Sequence, residues 1–345
     1  MVRIGIFGGS GYTGQELLRL LIRHPGVEPV AVTSRQYKGM HLSKIYPVFL
    51  GETDLAFIDA EPAALAETCD LIFLAVPHGK AMEAVPQFLS AGKKVIDLSA
   101  DYRIRDRALF EEWYCPHSSP DLLAEAVYGL PELHRKAIAQ ARLVANPGCY
   151  PTSAILGLAP LLRQDAIDKA SIIIDSKSGT SGAGRDIKLD SLFCEVNEGF
   201  KAYKIGTHRH RPEIEQELSM LAGSEIRVIF TPHLLPVNRG ILTTIYATLS
   251  SPRSTEEIRS FFDDFYRNEP FVRLCPAGCF PNISSVRGSN NCHIGCTVDE
   301  RTGRVVILSA IDNLVKGAAG QAVQNMNILC GFDERAGLGG ISLNP

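Results

Sequence analysis

Cys149 lies in a segment whose residue types could make it a nucleophile. It stands in the run Asn146-Pro147-Gly148-Cys149-Tyr150-Pro151-Thr152. Apolar residues at 143–145 predict a strand before it and those at 152–158 a helix after it, with a Pro-Gly turn between them. The N–H groups and positive dipole of a helix N-terminus lower the pKa of a thiol. Most free cysteines act as small buried hydrophobes, but this setting favours a thiolate nucleophile.

A nucleophilic cysteine needs a partner that moves protons, and histidine is the usual one. The best candidates, His208 and His210, lie just before Pro212. Pro212 predicts a helix start, and an extended chain before it would place both rings on one side. Near a helix N-terminus the neutral imidazole is favoured, so either ring could act as a base, with His210 slightly preferred. The alternative interpretations are a solvated basic turn and a metal pair without its other ligands.

The first 33 residues have the pattern of a dinucleotide-binding unit. A strand at 2–7 is followed by a glycine-rich loop, a helix at 15–22 and a second strand at 29–33. The glycines form Gly-x-x-Gly-x-x-Gly, a variant of the usual fingerprint, and their place between strand and helix favours phosphate binding. The predicted cofactor-binding residues here are Gly8, Ser10, Gly11, Tyr12, Thr13 and Gly14.

The end of the second strand indicates which cofactor is used. An acid at this place usually holds the ribose 2′-hydroxyl of NAD, whereas an arginine accommodates the 2′-phosphate of NADP. Here Ser34 and Arg35 follow the strand and no acid is present in 33–38. We therefore predict NADP(H), with an ordinary solvated arginine as the alternative interpretation.

The strand–helix alternation continues and predicts an α/β fold with a Rossmann-type, doubly wound parallel sheet. Strands are expected at 70–76 and 94–98, with a helix at 81–89; Pro77 follows the first of these strands and is assigned to the cofactor site. After Cys149, strands at 171–176, 225–230, 240–247 and 304–309 and helices at 212–221 and 254–267 suggest an α+β second domain. The final helix is expected from 312. The predicted domains are 1–148, completed by 312–345, and 149–311.

Composition excludes several classes of protein. The chain has 345 residues, 45% of them hydrophobic and 21% charged, with a net charge of −3. No basic cluster supports nucleic-acid or membrane-surface binding, and no apolar run approaches a membrane span. With nine irregularly spaced cysteines and no signal-peptide pattern, we expect reduced thiols in the cytoplasm. The pairs Cys275/Cys279 and Cys292/Cys296 could hold zinc, but their spacing is more typical of buried thiols, and no metal is predicted. The second pair is expected on one face of a strand.

Taken together, these motifs resemble the N-acetyl-gamma-glutamyl-phosphate reductases, the arginine-biosynthesis family of the semialdehyde dehydrogenase superfamily. The resemblance runs essentially end to end and rests on the glycine loop, on 98–103 and on the segments around Cys149 and His208–His210. It implies an NADP-binding domain completed by the C-terminal helix. It also implies a catalytic domain resembling that of glyceraldehyde-3-phosphate dehydrogenase, and a homotetramer or homodimer. Cys149 matches the family's catalytic cysteine, and His208 and His210 its histidine pair.

The resemblance implies a complete reaction. The Cys149 thiolate attacks an acyl phosphate, phosphate leaves, and NADPH reduces the thioester to an aldehyde. Arg103 is the candidate for the substrate phosphate, with Arg209 and Arg211 as weaker candidates for its carboxylate. Close backbone approach to cofactor or substrate is expected in a small-residue loop, and the cofactor candidates of this half of the chain are Ser178, Gly179, Gly182 and Asn313.

Two other functions remain as alternatives. An aminoadipyl-phosphate reductase of lysine biosynthesis would perform the same chemistry on a substrate with one more methylene, which a pocket separates by only about 1–3 kcal/mol. A non-catalytic NADP-binding redox sensor could also use Cys149, but a sensor thiol has no need of the placed histidine pair.

Overall fold

The computed structural model describes residues 1–187 and 189–343, except for the side chain of Asp190. Two compact units divide the chain. Unit 1 contains Met1–Pro147 and Ala318–Gly339, and unit 2 contains Gly148–Gly317 and the C-terminal residues from Gly340. The last two residues of the predicted C-terminal segment 312–345 lie outside the described residues.

Unit 1 is built on a seven-stranded parallel sheet. Its strands are β1 (Val2–Phe7), β2 (Val27–Thr33), β3 (Phe57–Ile58), β4 (Leu71–Leu74), β5 (Lys94–Asp97), β6 (Val127–Tyr128) and β7 (Leu143–Ala145). Their order is β3-β2-β1-β4-β5-β7-β6, so the direction of winding reverses between β1 and β4. Every residue of β4 is buried, as expected for a strand covered on both faces. Ligands of such sheets bind at this reversal, beyond the carboxyl ends of the strands.

Six helices connect these strands. They are α1 (Tyr12–Leu21), α2 (Leu42–Ile45), α3 (Pro62–Thr68), α4 (Ala81–Ser90), α5 (Arg107–Trp113) and α6 (Pro131–Ile138). On α1, Gly14, Leu17, Leu18 and Leu21 are buried, which is the spacing of one helix face. Asp101 fixes the start of α4, because its carboxylate accepts hydrogen bonds from the N–H groups of Gly79 (2.8 Å) and Met82 (3.1 Å).

Unit 2 contains a seven-stranded mixed sheet. Its strands are β8 (Ile173–Gly179), β9 (Lys201–Ala202), β10 (Ile229–Leu235), β11 (Ile241–Thr248), β12 (Val272–Leu274), β13 (Cys292–Asp299) and β14 (Arg304–Ile311). They lie in the order β12-β13-β14-β11-β8-β10-β9. The pairs β8/β10 and β12/β13 are parallel and the other pairs antiparallel. Every second residue of β11 is buried, so one face of the sheet packs on the core.

The sheet of unit 2 is accompanied by helices, of which the first and the last pack against its strands. They are α7 (Cys149–Arg163), α8 (Phe193–Val196), α9 (His210–Ala222) and α10 (Thr255–Tyr266). From Tyr150 to Leu162 every residue of α7 is buried, so this helix is the centre of the core of unit 2. The chain then passes through a π-helical turn, Val315–Ala319, and ends its regular structure in α11 (Gly320–Cys330). Among the described residues, no helix is both long and apolar enough to span a membrane.

Two predicted elements differ from the structure. The sequence predicts a strand at 225–230, but the strand in the structure, β10, covers Ile229–Leu235. It also predicts a continuous helix at 312–323, where the structure has a π-helical turn followed by α11. Ile226 and Val228 are buried as the sequence suggests, but their N–H groups donate to Ser219 Oγ and Glu215 Oε1 of α9 rather than to a strand. An apolar alternation can therefore be satisfied by a helix surface as well as by a sheet.

Candidate active site

Cys149 is the first residue of α7, and Gly148 is the N-cap. Thr152 closes the first turn, since its N–H and its hydroxyl donate to the Gly148 carbonyl at 3.0 and 2.9 Å. The N-cap residue, being glycine, has no side chain with which to cap the helix, and Pro151 contributes no N–H group. The partly exposed thiol therefore lies at the positive end of a helix, where a thiolate is favoured.

The N-terminus of α9 packs against the residue before Cys149. His210 is the first residue of α9, and a Cβ added to Gly148 would lie 2.6 Å from His210 Nε2. Glu213, three residues later on the same helix face, is fully buried, and its Oε1 accepts the Gly148 N–H at 2.8 Å. An imidazole and a carboxylate thus fix the entry of the chain into α7.

His208 is held by a chain of hydrogen bonds. Its Nδ1 accepts the His210 backbone N–H at 3.1 Å, so the proton of a neutral ring is assigned to Nε2. Nε2 lies 3.5 Å from the Tyr203 hydroxyl, which lies 3.0 Å from the Tyr150 hydroxyl. Tyr150 in turn donates to the His233 carbonyl at 3.3 Å. Each donor has an acceptor in this order, which fixes His208 as the Nε2–H tautomer.

The surroundings of His208 oppose its protonation. Burial, reinforced by the charges of Lys204 and Arg209, lowers the pKa of His208 to about 4. Four aromatic rings surround it at centroid distances of 4.8 to 5.5 Å, from Tyr150, Tyr203, His210 and Phe230. Burial also raises the pKa of Tyr203 to about 12 and moves the pKa of Tyr150 upward. The network is therefore neutral near pH 7.

The extended conformation predicted for the histidine pair is wrong. Arg209 has helical φ and ψ of −60° and −14°, and α9 begins at His210, two residues before Pro212. The rings still meet, with centroids 4.8 Å apart, because His208 folds back to accept an N–H at the helix start. The two histidines consequently differ in surroundings. His210 lies against Gly148, whereas His208 contacts the backbone of His210.

The three predicted substrate-binding arginines have different settings. Arg103, in unit 1, is 7% exposed, and its guanidinium donates to two backbone carbonyls at 2.7 and 2.8 Å. In unit 2, Arg209 is exposed, whereas Arg211 donates to the Gly206 carbonyl at 2.9 Å. These bonds give Arg103 and Arg211 structural roles within their own units, and contact with a substrate stays a prediction for all three.

Unit 1 has a pocket beyond the carboxyl ends of β1, β2 and β4. Five of the predicted cofactor residues line it, namely Gly8, Ser10, Ser34, Arg35 and Pro77. Gly8 has a φ of +86°, and a Cβ there would lie 2.9 Å from the Ala75 carbonyl oxygen, so the tight turn after β1 requires glycine.

The glycine loop leads into an open helix N-terminus. Gly11 is the N-cap of α1, Tyr12 and Thr13 begin the helix, and no side chain of the described residues caps it. A Cβ on Gly14 would lie 2.4 Å from the Gly9 carbonyl oxygen, so only glycine lets α1 approach the loop this closely. Uncapped N–H groups beside a tight glycine turn fit the pyrophosphate of a dinucleotide.

The same pocket contains charges that the sequence did not indicate. Asp59, Glu61, Lys80 and Glu83 also line it. The Asp59 carboxylate lies 3.8 Å from the Lys38 ammonium, and the Lys80 ammonium lies 2.9 Å from the Glu83 carboxylate, so part of this charge is paired. Arg35 itself is exposed at the pocket.

The cofactor candidates of the second half of the chain meet in unit 2. Ser178 and Gly179 end β8, and a Cβ on Gly182 would lie 3.3 Å from Ser178 Oγ and 3.7 Å from Asn313 Nδ2. Asn313 donates to Ser181 Oγ at 2.9 Å and accepts the Gly240 N–H at 2.8 Å. Asn313 therefore ties three loops together around this small-residue turn, and its contact with a cofactor stays a prediction.

The two cysteine pairs do not form a metal centre with other ligands. In residues 1–187 and 189–343, no three His, Cys, Asp or Glu side chains are grouped as a metal site. Cys292 and Cys296 are both buried on one face of β13, as predicted. Cys279 is exposed and Cys275 is partly exposed, so the expectation of buried thiols is wrong for that pair.

Two family models match the chain. One is described as the NAD binding domain of semialdehyde dehydrogenase and matches residues 3–141. The other is described as the dimerisation domain of semialdehyde dehydrogenase and matches residues 149–313.

Curated relatives match over their full length. An N-acetyl-gamma-glutamyl-phosphate reductase of Desulfotalea psychrophila is 58% identical, with 100% of both chains covered. A protein of the same name from Pelotomaculum thermopropionicum is 57% identical and covers 100% of this chain and 99% of its own. The chain belongs to the N-acetyl-gamma-glutamyl-phosphate reductase family. The resemblance predicted from the motifs is thereby confirmed, and the chain is an oxidoreductase with a nicotinamide cofactor.

Solved structures of aspartate semialdehyde dehydrogenases share the family's fold. One from Vibrio cholerae has a TM-score of 0.73 at 17% identity, covering 96% of this chain and 98% of that one. One from Candida albicans has a TM-score of 0.71 at 16% identity over the same shares. The predicted fold class, a Rossmann-type sheet with a second mixed-sheet domain, is confirmed.

Two residues of this family site were given no role by the sequence. A helix that begins at His210 places Glu213 on the same face as His210, because residues three apart share a helix face, whereas a start at Pro212 does not indicate this pairing. Tyr203 precedes His208 by five residues in an irregular segment, and no pattern there indicates that its hydroxyl meets the ring.

Proposed function

We propose that this enzyme reduces N-acetyl-L-glutamyl 5-phosphate to N-acetyl-L-glutamate 5-semialdehyde and phosphate with NADPH, in arginine biosynthesis. The relatives that bear this name support the substrate, because they are 56–58% identical over nearly the whole chain. The observation that carries the mechanism is the position of Cys149 at the start of α7, with His210 against its neighbour Gly148. Both residues lie in unit 2, to which we assign catalysis.

Cys149 performs the first step. His210 accepts the thiol proton, and the thiolate sulfur forms a bond to the acyl carbon. The carbon–oxygen bond to phosphate breaks, the phosphate oxygen keeps the electron pair, and His210 can return the proton to it. Cys149 then carries the acyl group as a thioester, and the start of α7 stabilises the sulfur whenever it is a thiolate.

Cys149 is also the leaving group of the second step. When bound, the nicotinamide supplies a hydride to the thioester carbon. The carbon–sulfur bond then breaks, the aldehyde forms, and Cys149 leaves as a thiolate, which takes up one proton from solvent through His210. His208 has no place in bond making in this scheme: it holds the backbone of His210, so we propose a positioning role for it.

The residues of unit 1 fit a dinucleotide, and we propose that it is NADP(H). The open start of α1 and the turn at Gly8 suit the pyrophosphate. Arg35 at the end of β2 suits a 2′-phosphate, and the pairing of Asp59 with Lys38 weakens the repulsion that a second phosphate would meet there. Arg103 for the substrate phosphate and Arg209 and Arg211 for its carboxylate complete the proposal.

We further propose a cytoplasmic homodimer or homotetramer assembled through unit 2. The family model described as a dimerisation domain covers 149–313. On the face of β11 opposite the core, Tyr246 is 37% exposed, which suits an interface between copies.

The reverse reaction tests the proposal. NADPH formation from N-acetylglutamate semialdehyde should require phosphate or arsenate and should be lost in Cys149→Ser. A substrate with one more methylene serves as the matched control. Faster turnover of the longer aldehyde would favour the lysine-pathway reaction, and binding of NADPH without turnover of either aldehyde would favour a redox sensor.

A further inference from the structure

The turn that follows β14 packs against Cys149. A Cβ added to Gly317 would lie 2.7 Å from Cys149 Cβ and 3.2 Å from Cys149 Cα. Real Cβ atoms do not approach other atoms so closely, and the atoms it would meet belong to the backbone and the first side-chain atom, which cannot swing away. The Gly317 backbone therefore packs directly on the cysteine.

The turn that contacts Cys149 is wider than an α-helix. Gly317, in the π-helical segment Val315–Ala319, donates its N–H to the Asp312 carbonyl at 2.9 Å, a bond between residues five apart. π-Helical turns are rare and are frequent at functional sites.

Buried charged residues anchor this turn on two sides. The fully buried Asp312 carboxylate accepts the N–H groups of Leu314 at 2.8 Å and Gly288 at 2.7 Å. Lys316, whose side chain is fully buried, places its ammonium 5.8 Å from the ring centre of Phe271. Movement of the turn would break the buried hydrogen bonds of Asp312 and separate Lys316 from Phe271.

We propose that Gly317 is a positioning residue for the nucleophile: its bare Cα forms a fixed wall against Cys149 Cβ and restricts the side-chain rotamers open to the thiol. A sulfur held in one staggered position meets the acyl carbon without a search among rotamers. This inference rests on the proposed role of Cys149. It adds a reason for glycine at 317, where the positive-φ requirement that explains glycine at position 8 does not apply.

Gly317→Ala tests the wall, and Gly157→Ala is its matched control. A Cβ on Gly157, farther along α7, would also meet an atom at 2.7 Å, the end of the Ile245 side chain. Both variants therefore add one methyl group to a tight contact of the same helix, but only one does so at Cys149. The measurement is the alkylation rate of Cys149 by iodoacetamide across pH, followed by peptide mapping, with the exposed Cys194 as internal reference.

Gly317→Ala should slow Cys149 alkylation and lower kcat, each by roughly 10- to 100-fold, because displacing a reacting atom by about 1 Å has effects of this size. Cys194 alkylation, the far-ultraviolet circular dichroism and the Kd for NADPH should be unchanged. Gly157→Ala should keep the parent rate at Cys149 even if its Tm falls. A parent-like Cys149 rate in folded Gly317→Ala, or an equal loss in Gly157→Ala, would overturn the proposal.

A second variant keeps the test decisive if Gly317→Ala does not fold. Asp312→Asn removes the charge that anchors the turn and adds no atom beside Cys149, so it should slow Cys149 alkylation in the same direction, by a smaller factor. An unchanged rate in this variant would count against the fixed wall. Failure of the proposed function has a different signature: alkylation of Cys149 in the parent protein would then leave turnover intact.

Discussion

Replacing His208 with asparagine should remove a specific part of the pH dependence of stability. The pKa of the ring falls from 6.5 to about 4 on folding, so the folded protein holds it neutral while the unfolded chain protonates it. The stability that the neutral ring contributes is fully present above pH 6.5 and is lost as the pH falls towards 4. From these two values the loss at about pH 5 is about 2 kcal/mol.

Asparagine is the informative substitution because its Oδ1 can replace Nδ1 as the acceptor of the His210 N–H, while it does not titrate in this range. Urea unfolding at about pH 7.5 and about pH 5, followed by circular dichroism, gives the free energy of unfolding at each pH. The stability difference between parent and His208→Asn should shrink by about 2 kcal/mol at the lower pH. His41→Asn, the same substitution at an exposed histidine of unit 1, is made in parallel for comparison. If the difference is the same at both pH values, the assignment of His208 as a buried neutral ring is refuted.

Two further predictions concern the cofactor and the base. Arg35→Ala should weaken NADPH binding, measured by titration, while leaving NADH binding nearly unchanged. Lys44→Ala, which removes an exposed cation on α2, should change neither affinity. Equal Kd values for NADPH and NADH in the parent protein would contradict the role of Arg35. His210→Asn should lower kcat by roughly 10²–10⁴-fold with an unchanged Kd for NADPH, and a near-parent kcat would exclude His210 as the base.

The elements around Cys149 could be predicted because their signals are local. β7 is a short apolar run, the Pro-Gly turn follows it, and α7 begins at the cysteine, so strand, turn and helix N-terminus are all read from neighbouring residues. The glycine loop is equally local, since the close approach of Gly14 to Gly9 is imposed by the helix that follows. Such features depend little on distant parts of the chain.

Other features depend on partners far along the chain and have no local signal. The N–H groups of Ile226 and Val228 are taken by side chains of α9, which turns an apparent strand into irregular structure. His208 acts through a bond to a helix start that the sequence places two residues too late. The contact of Gly317 with Cys149 joins residues 168 positions apart, and no spacing rule predicts it.

A single-turnover experiment without NADPH tests the central claim, a thioester on Cys149, most directly. The enzyme is mixed with the acyl phosphate, phosphate release is followed in time, and the acid-quenched protein is mapped by mass spectrometry. A thioester mechanism predicts a burst of about one phosphate per active site, an N-acetylglutamyl adduct on the peptide that contains Cys149, and neither in Cys149→Ser. Phosphate release that requires NADPH, or an adduct on another residue, would contradict it.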